Sequence, residues 1–148
     1  MLDHGALNKW VFIRLALIAL NAIPFSSSHA IVGGTFSWLE LSAVFFFCSG
    51  AIPVMGLMVM MYGRLSGQIQ GLAVQWTRPA WRKSPFTLTE PTQFFHLAAF
   101  ILMSQGISQV IVGSEVYLNP PSTGTLFLTA GMGLWVGTWL SALFIGKS

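Results

Sequence analysis

The sequence predicts an all-α polytopic membrane protein: a bundle of four transmembrane helices with one long loop, part amphipathic and part basic. Three observations carry this prediction. Hydrophobic residues are 54% of the 148 positions, about 80 residues, which is enough for four spans at roughly 20 residues each. Charged residues are only 7%, against about a quarter in a soluble domain, so a water-facing surface could not be covered. The apolar residues also gather in four blocks, 10–25, 39–61, 94–112 and 125–145. No repeat and no second polar domain interrupts them, so 1–148 reads as a single membrane domain. Backbone groups in lipid must be satisfied within the segment, which makes each block a helix. A membrane barrel would instead need alternating strands.

The block 10–25 opens behind Lys9, contains Arg14, and ends at Pro24 before Ser26, Ser27 and Ser28. It has two readings. Lys9 and Arg14, the apolar run from Leu15 to Phe25, and Ser28-His29-Ala30 have the grammar of a cleaved leader. Counting Trp10 to Ile13, with Arg14 snorkelling to the headgroups, makes the same block a span, and Asn21 then faces another helix. The span is retained here; cleavage would leave three spans in the same orientation. The block 39–61 begins at Glu40, whose charge suits a helix N-terminus. Beyond it, Leu65, Ile69, Leu72 and Trp76 fall on one helical face. This segment either extends the second span or lies on the membrane surface. Gly63, Gly67 and Gly71 in the same stretch imply a close neighbour or no stable helix. Pro85 and Pro91 precede the third block, and Asn119-Pro120-Pro121-Ser122 makes a stiff turn before the fourth.

Orientation follows from the cations. Lys9, Arg14, Arg64, Arg78, Arg82, Lys83 and Lys147 all fall on one side of a four-span chain, and the connections 26–38 and 113–124 have none. The positive-inside rule then puts both termini in the cytoplasm, in a bacterial inner membrane. Trp10, Tyr62, Trp76 and Trp81 would lie near the inner interface, and Trp38 and Tyr117 near the outer one.

Three groups of residues are candidates for function. Thr129, Gly133, Gly137 and Ser141 recur every fourth residue and form a ridge of small side chains on the fourth span. Such a ridge lets helix backbones approach closely, either within this chain or against another subunit. Trp135 and Trp139 form a bulky stripe beside it. On the third span, Gln93, Ser104, Gln105, Ser108 and Gln109 share an arc of roughly 160°, with His96 opposite Gln105. Gln105 and Gln109, with Ser104 and Ser108, either line a polar path or bond neighbouring helices. In the loop, Arg78, Trp81, Arg82 and Lys83 combine charge with aromatic surface. They suit a lipid-headgroup or partner contact, or simply mark an ordinary cytoplasmic loop.

Several chemistries lack their residues. The lone Cys48 excludes an internal disulfide or dithiol pair. His-Glu-x-x-His is absent, and His29, Glu40 and Glu115 lack metal-ligand spacing. His4 and His96 do not make a haem pair held between spans. No catalytic, cofactor or metal residues are therefore named, and no cofactor is expected. No acid lies at mid-depth, which weighs against a proton- or cation-coupled carrier. The expected function is a non-catalytic integral subunit or accessory protein that packs against partner helices through its ridge. The alternative is a small oligomeric transporter or channel with a path lined by the third span. Expected partners are membrane lipid and other membrane subunits or further copies of the chain, with no nucleic acid.

Overall fold

The structure is a computed structural model that describes residues 8–25, 37–65, 74–112 and 123–145. It is all-helical, with α1 Lys9–Phe25, α2 Trp38–Leu65, α3 Pro91–Val112 and α4 Thr123–Phe144. Helices α2, α3 and α4 are long and apolar enough to cross a membrane. Helix α1 has 17 residues, a rise of about 25 Å, which is short of the roughly 30 Å of a hydrocarbon core.

The helix starts are set by local chemistry. Asn8 caps α1: its Oδ1 accepts from the Trp10 amide at 3.0 Å, leaving its Nδ2 free to donate elsewhere. Ser37 and Glu40 form a reciprocal capping box on α2. The Glu40 amide donates to Ser37 Oγ at 3.2 Å and the Ser37 amide to Glu40 Oε2 at 3.0 Å. Pro91 opens α3 at a position where a missing amide hydrogen does no harm. Helix α2 runs through Pro53 and continues to Leu65, four residues beyond the expected block. Ile69, Leu72, Gly67 and Gly71 lie outside the described residues.

Helix α1 touches α3, α3 touches α4, and α4 touches α2; no other pair of helices meets among the described residues. Two residues decide each step. On α3, Ser108 bonds to α1, whereas Gly106 lies against Gly124 and Leu128 of α4. On α4, Gly131 lies against Ala99 and Met103 of α3, whereas Gly133 lies against Phe45 and Cys48 of α2. Positions two apart on a helix differ by about 200°, so each inner helix has its neighbours on opposite sides. The bundle is therefore an open row, α1–α3–α4–α2. The coil 74–90 crosses the end of this row where α1 and α3 begin.

Candidate functional site

The polar centre of the molecule is Arg14. Its side chain is wholly buried, with the coil 74–90 lying over it. Nη2 donates to the Lys83 carbonyl at 2.9 Å and to Gln93 Oε1 at 3.3 Å. Nη1 lies 3.2 Å from His96 Nδ1. A guanidinium has only donors, so His96 Nδ1 accepts and the imidazole is neutral. The guanidinium carbon also sits 5.8 Å from the Trp81 ring centroid, within cation–π range. All three acceptors are neutral, and Nε is buried without a hydrogen-bond partner. Among the described residues the one salt bridge is Lys83–Glu90 at 3.2 Å, so no carboxylate pairs with Arg14.

Gln93 joins this cluster to the coil. It is also wholly buried, and both ends of its amide are engaged. Oε1 accepts from the Ala80 amide at 2.9 Å as well as from Arg14. Nε2 donates to the Arg78 carbonyl at 3.0 Å and to Thr77 Oγ1 at 3.3 Å. The same coil is tied to α1 by Asn8 Nδ2, which donates to the Arg82 carbonyl at 2.9 Å. It is tied to α4 by Trp76, whose Nε1 donates to Ser141 Oγ at 2.9 Å. The Trp76 ring fits beside Gly56 of α2, where an added Cβ would lie 3.0 Å from it. One coil thus contacts all four helices.

Aromatic rings surround the buried cation. Trp81 meets His96 with centroids 5.3 Å apart and Phe100 at 4.9 Å, and His96 meets Trp139 at 6.3 Å. Of the four loop candidates, Trp81 therefore turns inward, while Arg78, Arg82 and Lys83 keep exposed side chains.

The ridge on α4 divides between two neighbours. A Cβ on Gly133 would lie 2.7 Å from the Phe45 carbonyl oxygen, and one on Gly137 would lie 2.6 Å from that of Ser49. Both glycines are therefore filled by the backbone of α2 in the same chain. Ser141 receives Trp76 instead, and Thr129 Oγ1 donates back to the Thr125 carbonyl at 2.7 Å. The polar arc of α3 also divides. Ser108 Oγ donates to the Ala22 carbonyl at 2.9 Å, and Ser104 Oγ donates to the Ile101 carbonyl within α3 at 2.8 Å and reaches the Ile18 carbonyl of α1 at 3.5 Å. Asn21 Nδ2 donates across from α1 to the same Ile101 carbonyl at 3.0 Å. Gln109 sits half-buried with its Cβ over Gly124. Gln105 is buried, and its Oε1 has no hydrogen-bond partner.

Sequence reasoning did not bring Arg14, Gln93 and His96 together. The available signal was the i, i+3 spacing of Gln93 and His96 at the start of α3, level with a basic residue inside the first block. Among the described residues no group of three or more His, Cys, Asp and Glu converges; His4, His29 and Glu115 lie outside them. Comparison with protein-family models, with curated proteins and with solved structures finds no match to this chain.

Proposed function

We propose that the chain is a non-catalytic integral membrane subunit or accessory protein that associates side by side with partner helices. The observation that supports this reading is the end position of α2. Helix α4 covers one side of it, and Phe46, Phe47, Val54 and Met58 are exposed around the rest. Since α2 of the same chain occupies Gly133 and Gly137, a partner helix would be met by this outward side of α2 and not by the ridge. Such an association rests on packing and lipid release.

Gentle extraction of the native protein, followed by identification of everything that co-purifies, tests the reading. A stoichiometric membrane partner is expected. An isolated monomer with no retained protein overturns it, and an isolated homo-oligomer favours the second reading. That second reading is a small oligomeric transporter or channel with a path along α3. It is supported by Gln105, whose buried Oε1 lacks a partner.

The same proposal has the protein in a bacterial inner membrane with both termini cytoplasmic, supported by the segregation of all seven Lys and Arg. Ser84→Cys and Ser122→Cys on a Cys48→Ser background test it. An impermeant thiol reagent applied to intact cells should label only the second; the opposite pattern reverses the orientation.

A further inference from the structure

We propose that the coil 74–90 is a selective binding site for an anionic phospholipid, with Lys9, Arg78 and Arg82 on the phosphate and Phe86 and Leu88 among the acyl chains. A positively charged loop attracts an anionic leaflet diffusely; a site also needs fixed geometry. Here the geometry is fixed from two helices. Asn8 and Arg14 of the α1 end hold the carbonyls of Arg82 and Lys83 at 2.9 Å each. Gln93 of α3 holds the Ala80 amide and the Arg78 carbonyl. Both arginines therefore project from pinned backbone. Their side chains are exposed and have no partner among the described residues. Lys9, exposed, follows Asn8, whose side chain makes that first bond, and its Nζ lies 5.1 Å from the Trp10 ring centroid.

The charge at this end is unbalanced. Among the described side chains at this end, the cations Lys9, Arg14, Arg78, Arg82 and Lys83 stand with one carboxylate, Glu90, which Lys83 already engages. Arg14 adds its charge from beneath without any acid of its own. An anion of several oxygens matches this end, and charge alone would suit a phosphate or an acidic protein. The apolar residues select the lipid. The coil buries Trp76 and Pro85 but turns Phe86 and Leu88 outward, 58% and 79% exposed. Large apolar side chains next to basic ones fit a headgroup–acyl boundary, with rings and aliphatic groups below the phosphates. This inference does not depend on whether α2 meets a partner helix.

Native mass spectrometry of the detergent-purified chain, titrated with phosphatidylglycerol or phosphatidylcholine at equal concentration, tests it. Retention of the anionic lipid over the zwitterionic one is expected, weakening as ionic strength rises. The double variant Arg78→Gln/Arg82→Gln should lose anionic lipid by about fivefold for each charge removed, with thermal stability unchanged because neither side chain holds the fold. The variant Phe86→Ser/Leu88→Ser should weaken both lipids alike and keep the headgroup preference. Three results would overturn the proposal. One is equal retention of the two lipids by the unmodified chain. Another is an unchanged preference in the double arginine variant. The third is displacement of the lipid by excess inorganic phosphate or by polyglutamate, which would make the surface a general anion or acidic-protein site.

Discussion

The two ends of the row are attached by different means. At one end, α4 holds α2 by close backbone approach: two glycines face the carbonyls of Phe45 and Ser49, with no hydrogen bond between the two helices among those described. At the other end, α3 holds α1 by point contacts: Arg14 to Gln93 and His96, Asn21 to the Ile101 carbonyl, Ser104 to the Ile18 carbonyl and Ser108 to the Ala22 carbonyl. The first attachment depends on shape along the whole interface and tolerates no added atom. The second depends on a few polar groups and tolerates reshaping of the apolar surface around them. Polar attachment suits α1, the helix that carries Arg14 and is shorter than a full span. Shape-based attachment suits α2, which is apolar on every side.

The largest expected effect breaks the first attachment. Gly137→Leu places a side chain where even a Cβ meets the Ser49 carbonyl oxygen at 2.6 Å. Backbone cannot yield as a side-chain tip does, so the loss should reach or exceed the upper end of the typical 1–3 kcal/mol for overpacking. Thermal unfolding in detergent reads it. Leu134→Ile, a volume-conserving control, should stay below about 1.5 kcal/mol. Equal melting of both variants would mean that α2 does not sit on the ridge.

Next comes the cation at the other end. Arg14→Gln removes every bond from the guanidinium, and hydrogen bonds to charged groups contribute about 1.5–3 kcal/mol each. The expected outcome is release of α1 and exposure of the coil, read as faster proteolysis near Arg82 and lower melting. Arg14→Lys should recover part of this but lack the fork that reaches Lys83 and Gln93 together.

Trp76→Phe keeps a ring beside Gly56 and removes the N–H that Ser141 accepts. A loss of about 0.5–1.5 kcal/mol is expected, measured as the shift in melting. The smallest effect is Ser108→Ala, which removes one bond between α1 and α3. Side-chain bonds between membrane helices average about 0.6 kcal/mol. Combined with Asn21→Ala the losses should add, and hydrogen exchange in α1 should rise while that in α2 stays unchanged. Matching changes in α2 would show that the two ends are coupled.

Much of this fold was legible in the residues. Four apolar blocks became four helices, and Ser37 with Glu40, and Pro91, mark helix starts in the chain itself. The side-by-side order was not legible. A soluble helix shows its core face by an apolar stripe, but a helix in lipid is apolar on all sides, so α2 carries no such mark. The ridge on α4 could be read as a place of close approach; that its neighbour is α2 could not, because small residues specify distance and not identity. Arg14 was visible, but its cover was not. The coil 74–90 has no periodicity, and nothing in Trp81 distinguishes a ring at the membrane interface from one turned over a buried cation. The division of the third span's polar arc was hidden for a similar reason. Ser104 and Gln105 are adjacent in sequence, yet Ser104 Oγ bonds its own helix and reaches the Ile18 carbonyl of α1 while Gln105 Oε1 is left without a partner.

The order α1–α3–α4–α2 differs from the order in which a ribosome delivers the helices. Helix α1 finds its neighbour only when α3 is made, and α2 only when α4 is made. Among the described residues consecutive α1 and α2 do not pair, so each meets its neighbour only in a later helix. The α3–α4 hairpin is the first pair that can close, and it must then gather α1 on one side and α2 on the other. The later pair, α3 and α4, is the scaffold that retains the earlier two helices.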